Sequence, residues 1–337
     1  MEGEFSAPPC VLVTGASGFI GSALLPVLAQ RFPGSVLAGA RRGTPARTCD
    51  VAAIACDLDD PAQLAEALRG VNLVVHAAYG DAKAMPGQAE NLVAAMTSAG
   101  AENLVTFSSI AVYGAREGLV TEDDEGVAPF DAYAEAKRRC ETLFRHWSEA
   151  APGRRVIALR PGIVYGAGST LWIDKMAQRI LSGGWGVFPR GNGFAALVHI
   201  DDLARQTLAA CGLLTGGNRE ALPRFVALNA VGPESVEWND YFQALAGALG
   251  QPPLRTWSPA ELALRQALAV PAKILRRLGL DLLPQAALAP GAGELALFSL
   301  RAQYTGANAA QVLGFSPAIR LREGISLSGL KPPSPLS

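Results

Sequence analysis

The chain has 337 residues, 50% of them hydrophobic and 18% charged, with a formal net charge of −1. That length can bury a large core, as one large domain or two smaller ones. The charge balance leaves no excess of cations for a nucleic-acid backbone, which sets that partner class aside. Five cysteines, Cys10, Cys49, Cys56, Cys140 and Cys211, form no CxxC pair. Their odd number and the absence of a leader point to a reducing, cytoplasmic setting. The opening MEGEFSAPP lacks the basic and apolar regions of a secretion signal. No stretch is long and apolar enough to span a bilayer without a charge or proline inside it.

The first half alternates short apolar runs with helical patterns. CVLVTG predicts a strand entering a glycine turn, and SALLPVLAQRF the helix after it. SVLAGARR and VAAIACDL predict the second and third strands, with PAQLAEALRG as a helix. NLVVHAA, NLVTFSS and VIALRPGIVYG predict the fourth, fifth and sixth. Strands separated by helices imply a doubly wound parallel α/β sheet, covered on both faces. After Gly166 the composition shifts to glycine and tryptophan. VHIDDLARQTLAA predicts a strand end running into a helix, FVALNAVG a late strand returning to the sheet, and the chain from about Ser235 is mainly helical. The expected organisation is a Rossmann domain over 8–165 and 198–230, with a smaller, mainly helical substrate lobe over 166–197 and 231–330. The tail 331–337 is expected to be disordered.

TGASGFIG sets Gly15, Gly18 and Gly21 between the first strand and the first helix. Backbone N–H groups can then approach a pyrophosphate without a Cβ in the way, at a helix N-terminus of partial positive charge. NAD-binding chains usually carry an acid at the end of the second strand. Here stand Gly39, Ala40, Arg41 and Arg42. Two guanidiniums suit a 2′-phosphate, so NADP(H) is expected in preference to NAD(H), which stays possible. Asp57, closing the third strand, is placed to accept from the adenine amino group or to cap the helix ahead of PAQL.

Tyr133 and Lys137, in DAYAEAKRRCE, are one helical turn apart and share a face. Lowering a tyrosine pKa from about 10 to about 7 takes roughly 4 kcal/mol. One ammonium about 4 Å away supplies on the order of that at an effective dielectric of about 20. Tyr133 is therefore cast as the acid–base and Lys137 as its tuner. Ser109, just past the fifth strand, sits where a hydroxyl should orient a substrate carbonyl. Ser108 should face the other way if strand geometry continues.

TGASGFIG, CDL, HAA, FSSIAVYG, YAEAK, LRPGIVYG, VHIDDLA and LGFSPAIRLREGI occur in an order that resembles an extended short-chain dehydrogenase/reductase of the NAD-dependent epimerase/dehydratase type. The resemblance runs over nearly the whole chain. It implies Ser109, Tyr133 and Lys137 as the catalytic set, Ser109 because the family hydroxyl lies four residues before the tyrosine of VYG, here Tyr113. It implies cofactor contacts from Gly15, Gly18, Phe19, Ile20, Asp57, Leu58, Ala77 and Ala78, with Pro161 beside the nicotinamide. Two departures stand out. Ile163 occupies the place of an asparagine typical of sugar-nucleotide members, and Asn91 is the nearest candidate for a second. The C-terminal segments are similar to the 3β-hydroxysteroid dehydrogenase and dihydroflavonol reductase branch. Trp172, Trp185, Phe188 and Phe194 are then expected either to line an apolar pocket or to pack the lobe.

The implied activity is an NADP-dependent reductase or dehydrogenase acting on a small, fairly apolar carbonyl or secondary alcohol. The alternatives are a sugar-nucleotide epimerase or dehydratase with a recycled cofactor, and a non-catalytic cofactor sensor. The protein is expected to be a monomer or a homodimer. His76 and His199 suit satisfied core positions and His146 the surface, and no spacing supports a metal site. Asp201 and Asp202 suit a structural helix start, and the acidic run Thr121 to Glu125 a solvated loop at the site's mouth. The apolar segment Glu261 to Leu283 carries Arg265, Lys273, Arg276 and Arg277. A lobe helix broken at Pro271 is preferred there over a helix resting on a membrane surface.

Overall fold

The computed structural model describes residues 9–41, 51–189, 191–278, 280 and 284–331. Arg42 and the tail from 332 onward lie outside the described residues. In chain order the first half comprises β1 (Val11–Thr14), α1 (Phe19–Arg31), β2 (Val36–Ala40), β3 (Ala52–Ala55), α2 (Pro61–Ala67), β4 (Leu73–His76), α3 (Met85–Ala99), β5 (Asn103–Phe107), β6 (Gly118–Val120), α4 (Ala132–Glu149) and β7 (Arg155–Pro161). Then come β8 (Ile163–Tyr165), α5 (Lys175–Leu181), β9 (Phe194–Ala195), β10 (Leu197–His199), α6 (Ile200–Thr215), β11 (Phe225–Ala230), β12 (Val236–Glu237) and α7 (Trp238–Ala248). The chain closes with α8 (Pro259–Arg277), α9 (Pro284–Ala287), α10 (Ala292–Ser299), β13 (Ala302–Tyr304), α11 (Ala307–Leu313) and α12 (Leu321–Leu327).

Seven parallel strands form the main sheet in the order β11-β7-β5-β4-β1-β2-β3. Alternate residues of each central strand feed opposite cores, because side chains alternate along a strand. Val11, Val13, Leu73 and Val75 pack with α1 and α6, whereas Leu12 and Val74 pack with α2, α3 and α4. Both faces are covered, which explains why these strands read as continuous apolar runs. The strand order reverses between β1 and β4. In an open α/β sheet that switch point is where the carboxyl ends of the strands leave a crevice.

The expected sixth strand is two strands. β7 belongs to the main sheet, and after Gly162 the chain turns away so that β8 pairs with β10 in a separate two-stranded sheet. The later segments form an aromatic core of their own: Trp185, Phe188, Trp238, Tyr241, Phe242, Trp257 and Phe298 are all buried there. This corrects the pocket alternative. Trp185 and Phe188 are core residues, Trp172 packs against the same cluster, and Phe194 lies beneath the Arg301 guanidinium at 5.2 Å. The expected break at Pro271 is also corrected. α8 continues through that residue, whose ring is on the exposed side.

Asp201 and Asp202 do open α6. Asp202 is fully buried, and its Oδ2 accepts from the backbone N–H groups of Ala318 (2.9 Å) and Ile319 (2.8 Å), tying the segment before α12 to the start of α6. His199 caps α6, its Nδ1 accepting from the Asp201 N–H at 3.3 Å. His146 is exposed on α4. Among the described residues no group of acids, histidines and cysteines is placed to hold a metal ion.

Candidate active site

A cleft of about 890 Å³ runs along the carboxyl ends of the main-sheet strands. Six of the seven strands, all but β11, contribute residues at or just beyond their ends. Gly15, Ser17, Gly18, Phe19 and Ile20 follow β1, Ala40 and Arg41 end β2, and Cys56, Leu58 and Asp59 follow β3. Ala77, Ala78 and Tyr79 follow β4, Ser108 and Ser109 follow β5, Pro161 ends β7, and Tyr133 and Lys137 enter from α4. The cleft is long and lined mainly by backbone and apolar groups at its centre, as a dinucleotide requires.

The glycine turn is sterically committed. Gly15 has φ +68°, and a Cβ there would sit 2.4 Å from the Ala78 Cα. A Cβ on Gly21 would sit 2.2 Å from the Gly15 carbonyl oxygen. Gly21 therefore lies beneath the turn, holding α1 against it, and does not itself line the cleft. Ser108 Oγ is buried without a hydrogen-bond partner in the protein. An orphaned hydroxyl on the cleft wall, together with the glycine cradle, fits a bound polar cofactor.

Asp57, like Gly21, is an expected cofactor residue outside the cleft lining. Its carboxylate accepts from the Asp59 N–H at 3.1 Å, and the α2 cap is Asp60, which accepts from Ala62 and Gln63. Asp59 faces the cleft instead and accepts from Gln88 Nε2 at 2.9 Å. Asn91 donates to the Leu58 carbonyl at 2.9 Å and so anchors that loop to α3. Ile163 packs toward the lobe core, while its neighbours Gly162 and Val164 line the cleft.

α4 starts where Asp131 accepts from the Ala134 N–H at 2.9 Å, which fixes the turn carrying Tyr133. Lys137 is buried and its Nζ donates to the Phe107 carbonyl at 2.7 Å. That places the ammonium 5.7 Å from the centre of the Tyr133 ring. Burial holds the Lys137 pKa below its ordinary value. Burial also pushes the Tyr133 phenol up to about 12, against the pull of the neighbouring Ser109 hydroxyl. The expectation of an acidic phenol is thereby corrected for the protein alone. Desolvation of the phenolate prevails, and the ammonium is engaged by a backbone carbonyl.

Both serines line the cleft. The expected alternation fails because β5 ends at Phe107. Ser109 then caps the following turn, its Oγ accepting from the Ala111 N–H at 3.1 Å. His76 closes β4, with Nδ1 2.8 Å from Thr14 Oγ1. Burial, and then the nearby Lys137 charge, lower its pKa to about 3, so it is neutral at ordinary pH.

Sequence reasoning missed two features. Tyr79, 73% exposed, stands edge-on to Tyr133 with ring centroids 5.9 Å apart. Its only sequence signal is its position directly after HAA. The second is a buried polar cluster behind the serines. Arg160 makes a bidentate pair with Glu141 (2.8 and 2.7 Å) and donates to the Tyr113 hydroxyl at 2.8 Å. Tyr113 in turn donates to Asn229 at 2.7 Å. An arginine inside the apolar run VIALRP is the signal that could have found it. Glu122 accepts from the Asn229 N–H at 2.9 Å, so this part of the acidic run braces the cluster instead of lining the cleft mouth.

Comparison with known proteins gives the same picture. An N-acetyl-α-D-glucosaminyl-diphospho-ditrans,octacis-undecaprenol 4-epimerase of Escherichia coli O157:H7 is 25% identical over 57% of this chain and 60% of its own length. The chain thus spans less than two thirds of that relative. A 2-alkyl-3-oxoalkanoate reductase of Stenotrophomonas maltophilia (strain K279a) is 28% identical over 72% of this chain and 76% of its own. The solved structure of MoeE5 in complex with UDP-glucose and NAD is 25% identical, covers 95% of this chain and 97% of its own, and superposes with a TM-score of 0.70. The family model for the NAD dependent epimerase/dehydratase family matches residues 11–219, the stretch that holds six of the seven main-sheet strands, the glycine turn and the serine, tyrosine and lysine beside it. The chain is a member of that family, within the extended short-chain dehydrogenase/reductase superfamily.

Proposed function

We propose that the protein is an NADP(H)-dependent reductase of a small, fairly apolar carbonyl compound. The gathering of Ser109, Tyr133 and Lys137 in one cleft, which the Gly15–Ile20 turn also lines, carries this reading. A nicotinamide held there would supply the hydride. Ser109 would hold the carbonyl oxygen and Tyr133 would deliver the proton to it. A phenol pushed up to about 12 keeps its proton at neutral pH, which suits a donor better than a base. Lys137, fixed by the Phe107 carbonyl, is positioned to hold the cofactor ribose. Of the described residues lining the cleft, the cations are Arg41 and Lys137. Arg41 is at the β2 end and favours a 2′-phosphate, since no acid stands there to bind a free ribose hydroxyl.

The alternative is a sugar-nucleotide epimerase, favoured by the likeness to MoeE5 over nearly the full length of both chains. A nucleotide diphosphate needs cations or free N–H groups on the substrate side. Around Tyr79, Ala84, Gly162 and Val164 the described cleft lining adds Asp81 and Gln88 but no cation. The test is turnover of a ketone panel with added NADPH, set against epimerisation of UDP-sugars without added cofactor. Tyr133→Phe is expected to lower reduction by about 10²- to 10⁴-fold while leaving NADPH binding, read by fluorescence, nearly unchanged. Near-native reduction by that variant, or epimerisation without added cofactor, would overturn the proposal.

A further inference from the structure

α8 is apolar on both sides. Its inner side is held by Ala269 and Ala272, which are buried, and by Leu262 and Leu268, which pack on the cores beneath. A surface helix ordinarily turns charge outward. This one turns out Ala263, Leu264, Ala267, Val270, Pro271 and Ile274, and then Arg277 and the following Leu278, at the spacing of one helical face. Leu264, Val270, Ile274, Leu278 and the following Leu280 are 50% to 71% exposed. With 19 residues, α8 presents this face along about 28 Å. A contiguous exposed apolar strip of that length marks an interaction surface.

The charge pattern says what covers it. Glu261 pairs with Arg255 and with Arg265, and Arg265 stacks over Trp257 at 4.2 Å, so the Glu261 and Arg265 charges stay on the protein side. The sequence from Gln266 to Arg277 holds no acid and three cations, Lys273, Arg276 and Arg277, on a chain whose net charge is −1. An apolar strip with a basic end is complementary to an anionic lipid surface. A two-fold interface centred on Ile274 would bring the basic segments of two copies together, which disfavours self-association there. No described helix is long and apolar enough to cross a membrane, so the contact is in the plane of the surface.

We propose that α8 lies flat on anionic membranes, with Leu264, Val270, Ile274 and Leu278 at the acyl boundary and the Lys273–Arg277 end against the headgroups. This is independent of the catalytic reading, and neither falls with the other. The test is co-sedimentation of the full chain with two kinds of vesicle, one of phosphatidylcholine alone and one containing about 30% phosphatidylglycerol. The wild type is expected to pellet with the anionic vesicles and to be released as salt is raised. Ile274→Glu with Leu278→Glu, both at exposed sites, is expected to lower the bound fraction roughly tenfold. Far-ultraviolet circular dichroism and an unchanged melting temperature check that the variant folds. Lys273→Gln, Arg276→Gln and Arg277→Gln together are expected to weaken binding to the anionic vesicles severalfold without affecting the phosphatidylcholine control. Equal, background pelleting with both vesicles, or glutamate variants that bind like wild type, would overturn the proposal. So would a dimer in light scattering that the glutamate variants split, since a second copy would then be the occupant.

Discussion

Tyr133 lines the cleft and His76 closes β4 just before the cleft-lining Ala77 and Ala78, and burial acts on both by disfavouring the charged form. For Tyr133 the charged form is the phenolate, and its pKa rises to about 12. The proton therefore stays on the oxygen across the neutral range, and kcat/KM for carbonyl reduction should be flat to above pH 9 before falling. A profile that already falls near pH 7 would mean that the ammonium of Lys137 governs the phenol after all. For His76 the charged form is the imidazolium, and its pKa drops to about 3. An unfolded histidine titrates near 6.5. The stability due to keeping His76 neutral is thus complete above about pH 6.5 and is lost as pH falls toward 3. At pH 5 this amounts to about 2 kcal/mol. Urea midpoints of wild type and His76→Gln at pH 7.5 and pH 5.0 test the point. The wild type should lose more stability than the variant on acidification, and equal losses would place the acid sensitivity elsewhere.

At the scale of elements, α4 has to be held at a fixed height above β5 and β7 for Tyr133 and Lys137 to face Ser109. The Arg160–Glu141 pair does this, joining β7 to α4 with side chains only 10% and 11% exposed. Arg138 adds a second clasp, donating to the Val112 carbonyl at 2.7 Å. Removing one partner of a buried pair leaves the other charged in a dry site, at a cost of about 3–5 kcal/mol. Glu141→Ala should lose that much in urea unfolding. The double replacement Arg160→Met with Glu141→Leu should recover most of the stability but not the activity, because the Tyr113 hydroxyl loses its donor. A double variant with native turnover would make the cluster a matter of stability alone. This clasp was only half legible, because the arginine inside VIALRP marks a buried cation but nothing local points to Glu141, 19 residues away in sequence, as its partner. The strands and the glycine turn were legible, since their signals are local: a run of apolar residues, then glycines, then a helix. The Pro271 expectation failed because a proline costs one hydrogen bond, which the packing of Ala269 and Ala272 against their neighbours outweighs. The aromatic pocket failed for a similar reason. Composition cannot say whether tryptophans face a ligand or each other.

Across the whole molecule, the cleft is assembled from the ends of β1, β2, β3, β4, β5 and β7, so a ligand bound there bridges most of the main sheet. A ligand that binds the folded state alone raises its stability by about 2.7 kcal/mol at a concentration of 100 Kd. For a chain of this length that is a rise in Tm of roughly 3–6 °C. NADPH should give that rise, and at equal concentration NADH should give less. Arg41 is exposed at the rim, at the end of β2, so replacing it removes a charge without opening the core. Arg41→Ala should weaken NADPH about tenfold, cutting its stabilisation by about 1.4 kcal/mol at fixed concentration. The NADH shift should stay as it was, because a free 2′-hydroxyl has no charge for the guanidinium to meet. Equal loss for both cofactors would assign Arg41 to the shared adenosine moiety. No loss for either would leave the 2′-phosphate without a partner at this residue, and the preference for NADP(H) would have to be abandoned.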